Sequence, residues 1–516
     1  MLWSIGHIAK KRAQITPDKP ALIYEGTAVS YKQLNEQANR VANLLSARGL
    51  RKGDRISVYL LNCPEFLAIY FAAAKLGLVF VPINFRLTSR EIAYQLNDCG
   101  SKALFFHDQF QNQIDPLRGD VGVEAGKYFC LQLKAEDASP CPDWADDFAT
   151  AQAQASAAEP TPSSPVEIAD PLAIIYTSGV TGDPKGAVLS HEQTYYKNFQ
   201  VILYMDLCED DVLLSQLPLF HSGGLFIVAT PALCRGATLL MRQTFEPVQF
   251  AKDIEEHHAT VVLALTTMWR FVQLSGVLDQ IDVSSVRRVL GGGERTPQSL
   301  LTYLSDRGLH MQTGFGQTEN SFMALMPKGT MLSKPGAIGL AGFFTDVWIE
   351  DASGGPAQPN AIGEIRARGP TVMSGYWNLP EKTAETLVED ELRTGDLGYQ
   401  DEDGFLYIVD RAKDMYRTGG ENVYPAEVEK ILADHPKVAH VAIVGVPDEK
   451  WGESGKAFVV AMDAEAPPTA AELLAFLDGK VARYKLPAHI ELLPELPLTA
   501  TGKVRKVDLK KAYLAT

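Results

Sequence analysis

The feature that most constrains the fold is the alternation of capped, one-faced helices with short apolar strands in the first hundred residues. The stretch SYKQLNEQANRVANLLSARG opens with Ser30 and Gln33 at capping-box spacing. It sets Leu34, Ala38, Val41, Ala42 and Leu45 on one helical face and stops at Gly49. DRISVYLL then reads as a strand. A helix from Pro64, the strand LVFVPI, a helix capped by Thr88 with Glu91 three residues on, and the strand KALFF follow. Strands separated by helices predict a mostly parallel sheet with helices packed on it, an α/β fold. With 516 residues the chain can build two or more such cores.

Residues 134–168 are rich in Ala, Pro and Ser and read as a flexible surface linker. A second boundary falls near VDRAKDM, residues 409–415. Beyond it the helix PAEVEKILADHP, the strands VAHVAIVGV and KAFVVAM, the helix AAELLAFLDGKVA and the strand HIELL make a small α+β domain.

Composition excludes several functions. The net charge of −15 disfavours nucleic acid as a partner. Six cysteines without a C-x-x-C pair argue against a zinc site or a disulfide framework and for free thiols in a reducing, cytoplasmic compartment. The N-terminus does not read as a secretory signal. The most apolar stretch, FLAIYFAAAKLGLVFVPI, is interrupted by Lys75 and Gly77 and closed by Pro82, so it reads as a buried helix and strand and no integral membrane segment is expected.

A buried strand, PLAIIYTSG, runs straight into YTSGVTGDPKG, residues 176–186. Glycines free the backbone N–H groups to close around oxyanions, Ser178 and Thr181 add hydroxyls, and Lys185 adds a charge. The spacing is not that of a P-loop: Pro184 precedes the lysine and Gly186 follows it. Alone, such a turn is also a common structural feature.

It is joined by LPLFHSGG (217–224), GGGE (291–294), TGFGQTE (313–319), GEIRARGPTVMSGYW (363–377), RTGDLGYQDEDGFLYIVDRAKD (393–414), GGENVYPAEVE (419–429) and LPLTATGKVRK (496–506). In this order the motifs resemble the adenylate-forming superfamily of acyl-CoA synthetases, peptide-synthesis adenylation domains and firefly-type luciferases, over nearly the whole chain. The resemblance implies a large N-terminal domain of stacked α/β subdomains, residues 1–410, and a small mobile C-terminal α+β domain, residues 415–516. A hinge at 411–414 centred on Lys413 joins them. It leaves room for a homodimer.

The same resemblance assigns roles. Thr177, Ser178, Gly179, Thr181, Gly182 and Lys185 would cradle the phosphates of ATP. Gly292, Gly293, Glu294, Thr313, Gly314, Phe315 and Gly316 would line the adenine, with Phe315 where a tyrosine is usual. Glu319, with Thr318 beside it, would hold Mg²⁺. Asp396, Ile408 and Arg411 would meet the nucleoside, Asp396 taking the ribose hydroxyls. Lys503 would stabilise charge at the α-phosphate as the acid attacks. Gly419, Gly420 and Trp451 would line the path of CoA, and His221, Gly223, Thr267 and Gly314 the acid pocket. Two departures stand out: Val180 replaces a hydroxyl residue in the phosphate loop, and Thr266 stands where many members have proline.

The implied reaction joins a carboxylic acid to ATP, releases pyrophosphate and passes the acyl group to CoA. With no carrier domain after Lys503, CoA is the favoured acceptor over a carrier protein. A luciferase and a catalytically silent nucleotide-binding relative are the alternatives; the presence of Lys503 and Glu319 counts against the latter. The pocket segments HSGGL, TTMW, GGGE, GFGQ and NSFM show no cation to meet a second charge. They therefore predict a monocarboxylic acid with an apolar body, a fatty acid before an aryl or alicyclic one.

Overall fold

The structure, a computed structural model, describes residues 3–132, 139–177, 184–292, 296, 298–351, 353–411, 416–423, 425–433, 435–497, 504 and 506–514. It divides into two compact units. The larger comprises Met1–Phe85, Leu96–Ile175 and Gly186–Val409, and the smaller Arg86–Gln95, Tyr176–Lys185 and Asp410–Thr516.

Two sheets build the larger unit. In the eight-stranded sheet the order is Gly375–Tyr376, Lys185–Ser190, Pro171–Thr177, Val79–Pro82, Arg55–Tyr59, Ser101–His107, Tyr128–Leu131 and Asp146–Asp147. Val79–Pro82, Arg55–Tyr59, Ser101–His107 and Tyr128–Leu131 run parallel, as the alternation predicts. The helix Tyr31–Ala47 begins at a complete capping box, Ser30 accepting from the Gln33 N–H and Gln33 from the Ser30 N–H. The helix Pro64–Leu76 is buried on nearly every side, its Phe66, Leu67, Ile69 and Phe71 each contributing about 1.5–3 kcal/mol by leaving water. Its one charge in the last turn, Lys75, is buried too. The Lys75 ammonium donates to Asn35 Oδ1 at 2.7 Å and Asn39 Oδ1 at 2.6 Å and pairs with Glu159 at 3.0 Å. Among the described residues no helix is long and apolar enough to cross a membrane.

The segment read as a flexible linker is tied to the core instead. Asp147 caps a helix, Phe148–Gln154, by accepting from the Thr150 N–H at 2.8 Å, and Phe148 and Val166 are buried. Glu159 is the carboxylate that meets Lys75, and Lys52 donates to Pro165 O. Alanine and glutamine dominate this helix, so it shows no apolar periodicity. Long-range polar partners hold it.

The second, fourteen-stranded sheet has a parallel half: Pro20–Tyr24, Thr238–Met241, Val212–Leu214, Val261–Leu263, Arg288–Gly291 and Met311–Gln317, side by side in that order. At Met311–Gln317 the pattern changes. Ser321–Leu325 returns antiparallel to it, and the remaining strands, to Asp346–Glu350, continue antiparallel. The smaller unit holds a five-stranded sheet of Glu421–Val423, Tyr416–Thr418, Gly452–Ala461 and Val438–Asp448, with His489–Leu492 parallel to Gly452–Ala461. The helices Pro425–Ala433 and Ala470–Leu477 pack on it around Tyr416, Val428, Leu432, Leu473 and Leu477. Within this unit Lys485 is buried between two carboxylates, Glu91 at 2.8 Å and Glu427 at 2.6 Å.

Candidate active site

Open α/β sheets bind ligands beyond the carboxyl ends of their strands. In the parallel half of the large sheet four adjacent strands end together, and a predicted site segment follows each one. His221 and Gly223 follow Val212–Leu214, Thr267 follows Val261–Leu263, Gly292 follows Arg288–Gly291, and Thr318 and Glu319 follow Met311–Gln317.

The last strand is the most constrained. Gly314 and Gly316 lie on one of its faces with Phe315 on the other. A Cβ on Gly316 would come within 1.7 Å of Ser321 O, so glycine is what lets the return strand close in. A Cβ on Gly314 would meet the Phe322 ring at 2.2 Å, so that ring fills the space a side chain would take. Phe315 is buried in an apolar cluster with Ile349, Ile365, Leu392 and Leu406, and Ile408 packs against the same cluster. The Thr313 hydroxyl faces Met331 Sδ at 3.3 Å.

The turn Thr318–Asn320 carries Glu319, which is held twice. Its backbone oxygen accepts the Met373 N–H at 2.6 Å, and its carboxylate accepts the Tyr376 hydroxyl at 2.8 Å. Tyr376 pairs in register with Ala187, on the strand that leaves the phosphate loop, so the hydroxyl fixes Glu319 to that strand. One residue before Thr318, Gln317 donates to Thr394 O at 2.9 Å and to Asp396 Oδ2 at 2.5 Å. Asp396 is buried at 1% exposure. A single amide thus ties the predicted ribose carboxylate to the strand that presents Glu319. Sequence reasoning assigned no role to Gln317 or Tyr376, although both lie inside quoted motifs.

Asn62 holds the segment before His221, accepting the Leu219 N–H at 2.8 Å and donating to Leu217 O at 3.0 Å. His221 stacks obliquely on Phe220, ring centroids 4.4 Å apart. Gly223–Ala229 then forms a π-helix, a geometry found mostly at functional positions. It brings Gly224 so near Pro218 O that a Cβ would clash at 2.2 Å, whereas Gly223 has room. Thr267 is buried, and Thr266 shares a hydroxyl contact with Thr296 at 3.0 Å, which is how this chain fills the usual proline position.

The sequence reading missed Lys197. It lies on the helix His191–Met205, capped by a Ser190–Gln193 box, on a buried face with Thr194, Asn198, Val201 and Met205. Gln200 donates to Phe322 O at 2.5 Å and Tyr204 packs edge-on to the Phe322 ring, so this helix lies against the strand that returns from Glu319. Lys197 is 1% exposed, and no described group lies within hydrogen-bond distance of its Nζ. Its ammonium lies over the ring of Phe226 on the π-helix, 5.9 Å to the centroid. Burial pushes the ammonium down to about 7, and the charge of Glu319 opposes that shift. Lys197 lies outside the segments expected to line the acid pocket, on the helix His191–Met205. A lysine spaced three and four residues from apolar and small side chains was the signal.

In the smaller unit, Gly419 and Gly420 take left-handed backbone angles, φ 56° and 84°. Gly419 N–H donates to Trp451 O at 3.0 Å, and a Cβ there would press on the indole at 3.0 Å. The three residues predicted for CoA are thus neighbours. Thr177 Oγ1 donates to Lys185 O at 3.4 Å, joining the two strand ends that flank the phosphate loop, and Tyr94 donates to Pro184 O at 3.2 Å. Ser178, Gly179, Val180, Thr181, Gly182, Gly293, Glu294, Lys413 and Lys503 lie outside the described residues, as does the side chain of Arg411.

Comparison with known proteins identifies this arrangement. Residues 9–377 match the AMP-binding enzyme family and residues 427–503 the AMP-binding enzyme C-terminal domain. The chain is 36% identical over 510 residues to a feruloyl-CoA synthase of Amycolatopsis sp, covering 99% of each chain. It is 34% identical over 516 residues to the long-chain-fatty-acid–CoA ligase FadD13 of Mycobacterium tuberculosis, again covering 99% of each. The solved structure of an o-succinylbenzoate CoA synthetase variant from Bacillus subtilis, bound with a product analogue, superposes with a TM-score of 0.86 at 30% identity, covering 98% of each chain. A strand-end site with a tethered Glu319 and a buried Asp396, in a chain that matches both family domains, has one reading: the chain belongs to the AMP-binding enzyme family and is an AMP-forming acid–CoA ligase of the adenylate-forming superfamily.

Proposed function

We propose that the enzyme activates an aromatic carboxylic acid, an aryl-alkenoic or arylacetic acid, in preference to a fatty acid. The acid's carboxylate oxygen attacks the α-phosphorus of ATP, the bond to the bridging oxygen breaks, and pyrophosphate leaves. The CoA thiolate then attacks the acyl carbonyl, the thioester forms, and AMP leaves with the electron pair of the broken bond. Asp396 accepts the ribose hydroxyls, with Gln317 holding its carboxylate in place. Gly314 and Gly316 let the return strand Ser321–Leu325 pack against Met311–Gln317, which fixes the turn that carries Glu319. Ser178, Thr181 and Lys185 meet the departing phosphates, and Lys503 the charge that builds at the α-phosphate. Gly419, Gly420 and Trp451 meet the pantetheine arm of CoA, and Lys413 is the hinge between the two steps.

Glu319 and Thr318 offer oxygen donors alone, which suits Mg²⁺. Tyr376 occupies one side of the Glu319 carboxylate and so orients the other. When bound there, the ion would neutralise phosphate charge.

The observation that carries the aromatic preference is the Phe322 ring set against Gly314. In this reading, with Gly314 at the acid pocket, the ring closes the wall there, and Tyr204 packs edge-on to it at 6.2 Å. A closed aromatic wall suits a short flat body better than an extended chain. The feruloyl-CoA synthase likeness supports the same reading, and the FadD13 likeness supports the fatty-acid alternative. The test is AMP release with ATP, Mg²⁺ and CoA across cinnamates, arylacetates and a chain-length series of fatty acids. Highest kcat/KM is expected for an aryl acid; a fatty acid that outperforms every aryl acid overturns the preference.

A further inference from the structure

Buried polar side chains in folded proteins are hydrogen-bonded almost without exception, and a buried cation without a partner is costlier still. Lys197 is such an exception. Its Nζ has no hydrogen-bond partner among the described residues, and other polar groups around the same elements share this condition. Both amide atoms of Asn198 are buried and unpartnered, as are Ser222 Oγ at the start of the π-helix and Asn320 Nδ2 and Ser321 Oγ just after Glu319. The helix His191–Met205, the π-helix and the turn after Met311–Gln317 thus contribute buried polar atoms that no described residue meets.

Gln200 and Tyr204 anchor the helix to Phe322. Lys197 lies one turn towards the helix N-terminus from that anchor, with its ammonium over the fully buried Phe226. Phe226 lies on the π-helix Gly223–Ala229, which begins at Gly223, a residue expected in the acid pocket. Glu319 is the one charged group among the described residues that acts on Lys197.

We propose that Lys197 is a specificity-determining residue whose ammonium binds an oxygen on the body of the acid substrate, a ring hydroxyl or a second carboxylate remote from the carboxyl that is activated. The proposal rests on the aromatic-acid reading for its favoured substrate but not for its logic, because any acid body with a remote oxygen satisfies the same ammonium. It replaces the expectation of a wholly apolar acid. No bond is made or broken at Lys197. It contributes a charge-assisted hydrogen bond that is absent when the substrate lacks the oxygen.

The experiment compares wild type with Lys197→Met on matched pairs: cinnamate against para-hydroxycinnamate, cinnamate against para-carboxycinnamate, and octanoate against octanedioate. Wild type is expected to prefer the oxygen-bearing member of at least one pair. The variant is expected to lower the kcat/KM ratio of that pair by about 10- to 100-fold, the worth of a hydrogen bond to a charged group. Whether the hydroxyl or the carboxylate pair responds identifies the oxygen. If aryl acids are poor substrates and the octanedioate pair responds, the aromatic preference falls and the role of Lys197 stands. If the ratios are the same in both proteins for every pair, the proposal falls, whatever happens to the absolute rates. A fold defect in Lys197→Met would lower both members of a pair alike, and Lys197→Arg, which keeps the charge, should restore part of the lost ratio.

Discussion

Lys75 and Lys197 are both buried lysines in the larger unit, and the structure treats them in opposite ways. Lys75 is met by Asn35, Asn39 and Glu159, brought from two other segments to one ammonium. Lys197 is met by none of the described groups. Burial lowers the proton affinity of both, but at Lys75 the Glu159 carboxylate close by opposes it. The smaller unit repeats the first pattern, with Lys485 between Glu91 and Glu427. Where a lysine serves the fold, its partners come from the chain. At Lys197, where the described residues bring none, the proposed partner is an oxygen of the substrate.

The comparison can be broken in several ways. The largest effect is expected from Glu319→Gln, which removes the carboxylate proposed to hold the metal beside Lys197. Adenylate formation, read as pyrophosphate release, should fall by about 100- to 1000-fold, with secondary structure intact; a near-normal rate would remove Glu319 from the site. Next comes Lys75→Met. It leaves a cluster built around a charge without that charge, and should destabilise the larger unit by about 3–5 kcal/mol, seen as a drop in unfolding midpoint. A neutral result would mean that the Asn35, Asn39 and Glu159 contacts do not stabilise the fold.

Asp396→Asn keeps the shape of a buried side chain that Gln317 holds, and removes its charge. The KM for ATP should rise by about 10-fold or more, with little change in thermal midpoint. A large loss of stability with unaltered ATP binding would make Asp396 a structural partner of Gln317 instead. The smallest effect has the opposite sign. Lys197→Met should stabilise the substrate-free protein by about 1–2 kcal/mol, since a buried charge with no partner gives way to a well-packed apolar chain.

The pH dependence sharpens the same point. The folded-state pKa of Lys197 lies at about 7, below the 10.5 of the free side chain, so between these values the unfolded chain holds a proton that the folded chain lacks. Stability attributable to this group therefore rises with pH across that window and is lost as pH falls towards 7. Denaturant titrations of Lys197→Met from pH 7 to 10 should show a shallower rise than wild type; an identical rise would mean that the amine is not buried in solution.

Much of this protein was legible in its sequence for identifiable reasons. The capping box at Ser30 and apolar runs such as FLAIYF are local signals, so helices and strands could be placed from neighbours a few residues apart. The motif Thr313–Glu319 was legible through its resemblance to the adenylate-forming superfamily; the close approach of Gly316 to Ser321 O became visible only in the structure. The helix Phe148–Gln154 was misread as linker because its apolar signal is a single phenylalanine and its polar anchors, Arg40 to Ala153 O and Gln152 to Gln37 O, are remote in sequence. Lys197 escaped because a lysine among tyrosines and an asparagine looks like a solvated face until the other side of the helix is known.

By itself, the sequence determined the α/β alternation, the order of the motifs and the types of side chain available for binding a nucleotide. All of these rest on spacing along the chain. Tertiary structure decided which of those side chains are already satisfied. Gln317 spends its amide on Asp396, Tyr376 its hydroxyl on Glu319, and Lys75 its ammonium on Asn35, Asn39 and Glu159, whereas Lys197 keeps its ammonium unused. A hydrogen bond depends on distance in space, and residues 36 to 84 positions apart can meet within 3.2 Å, which no local pattern records.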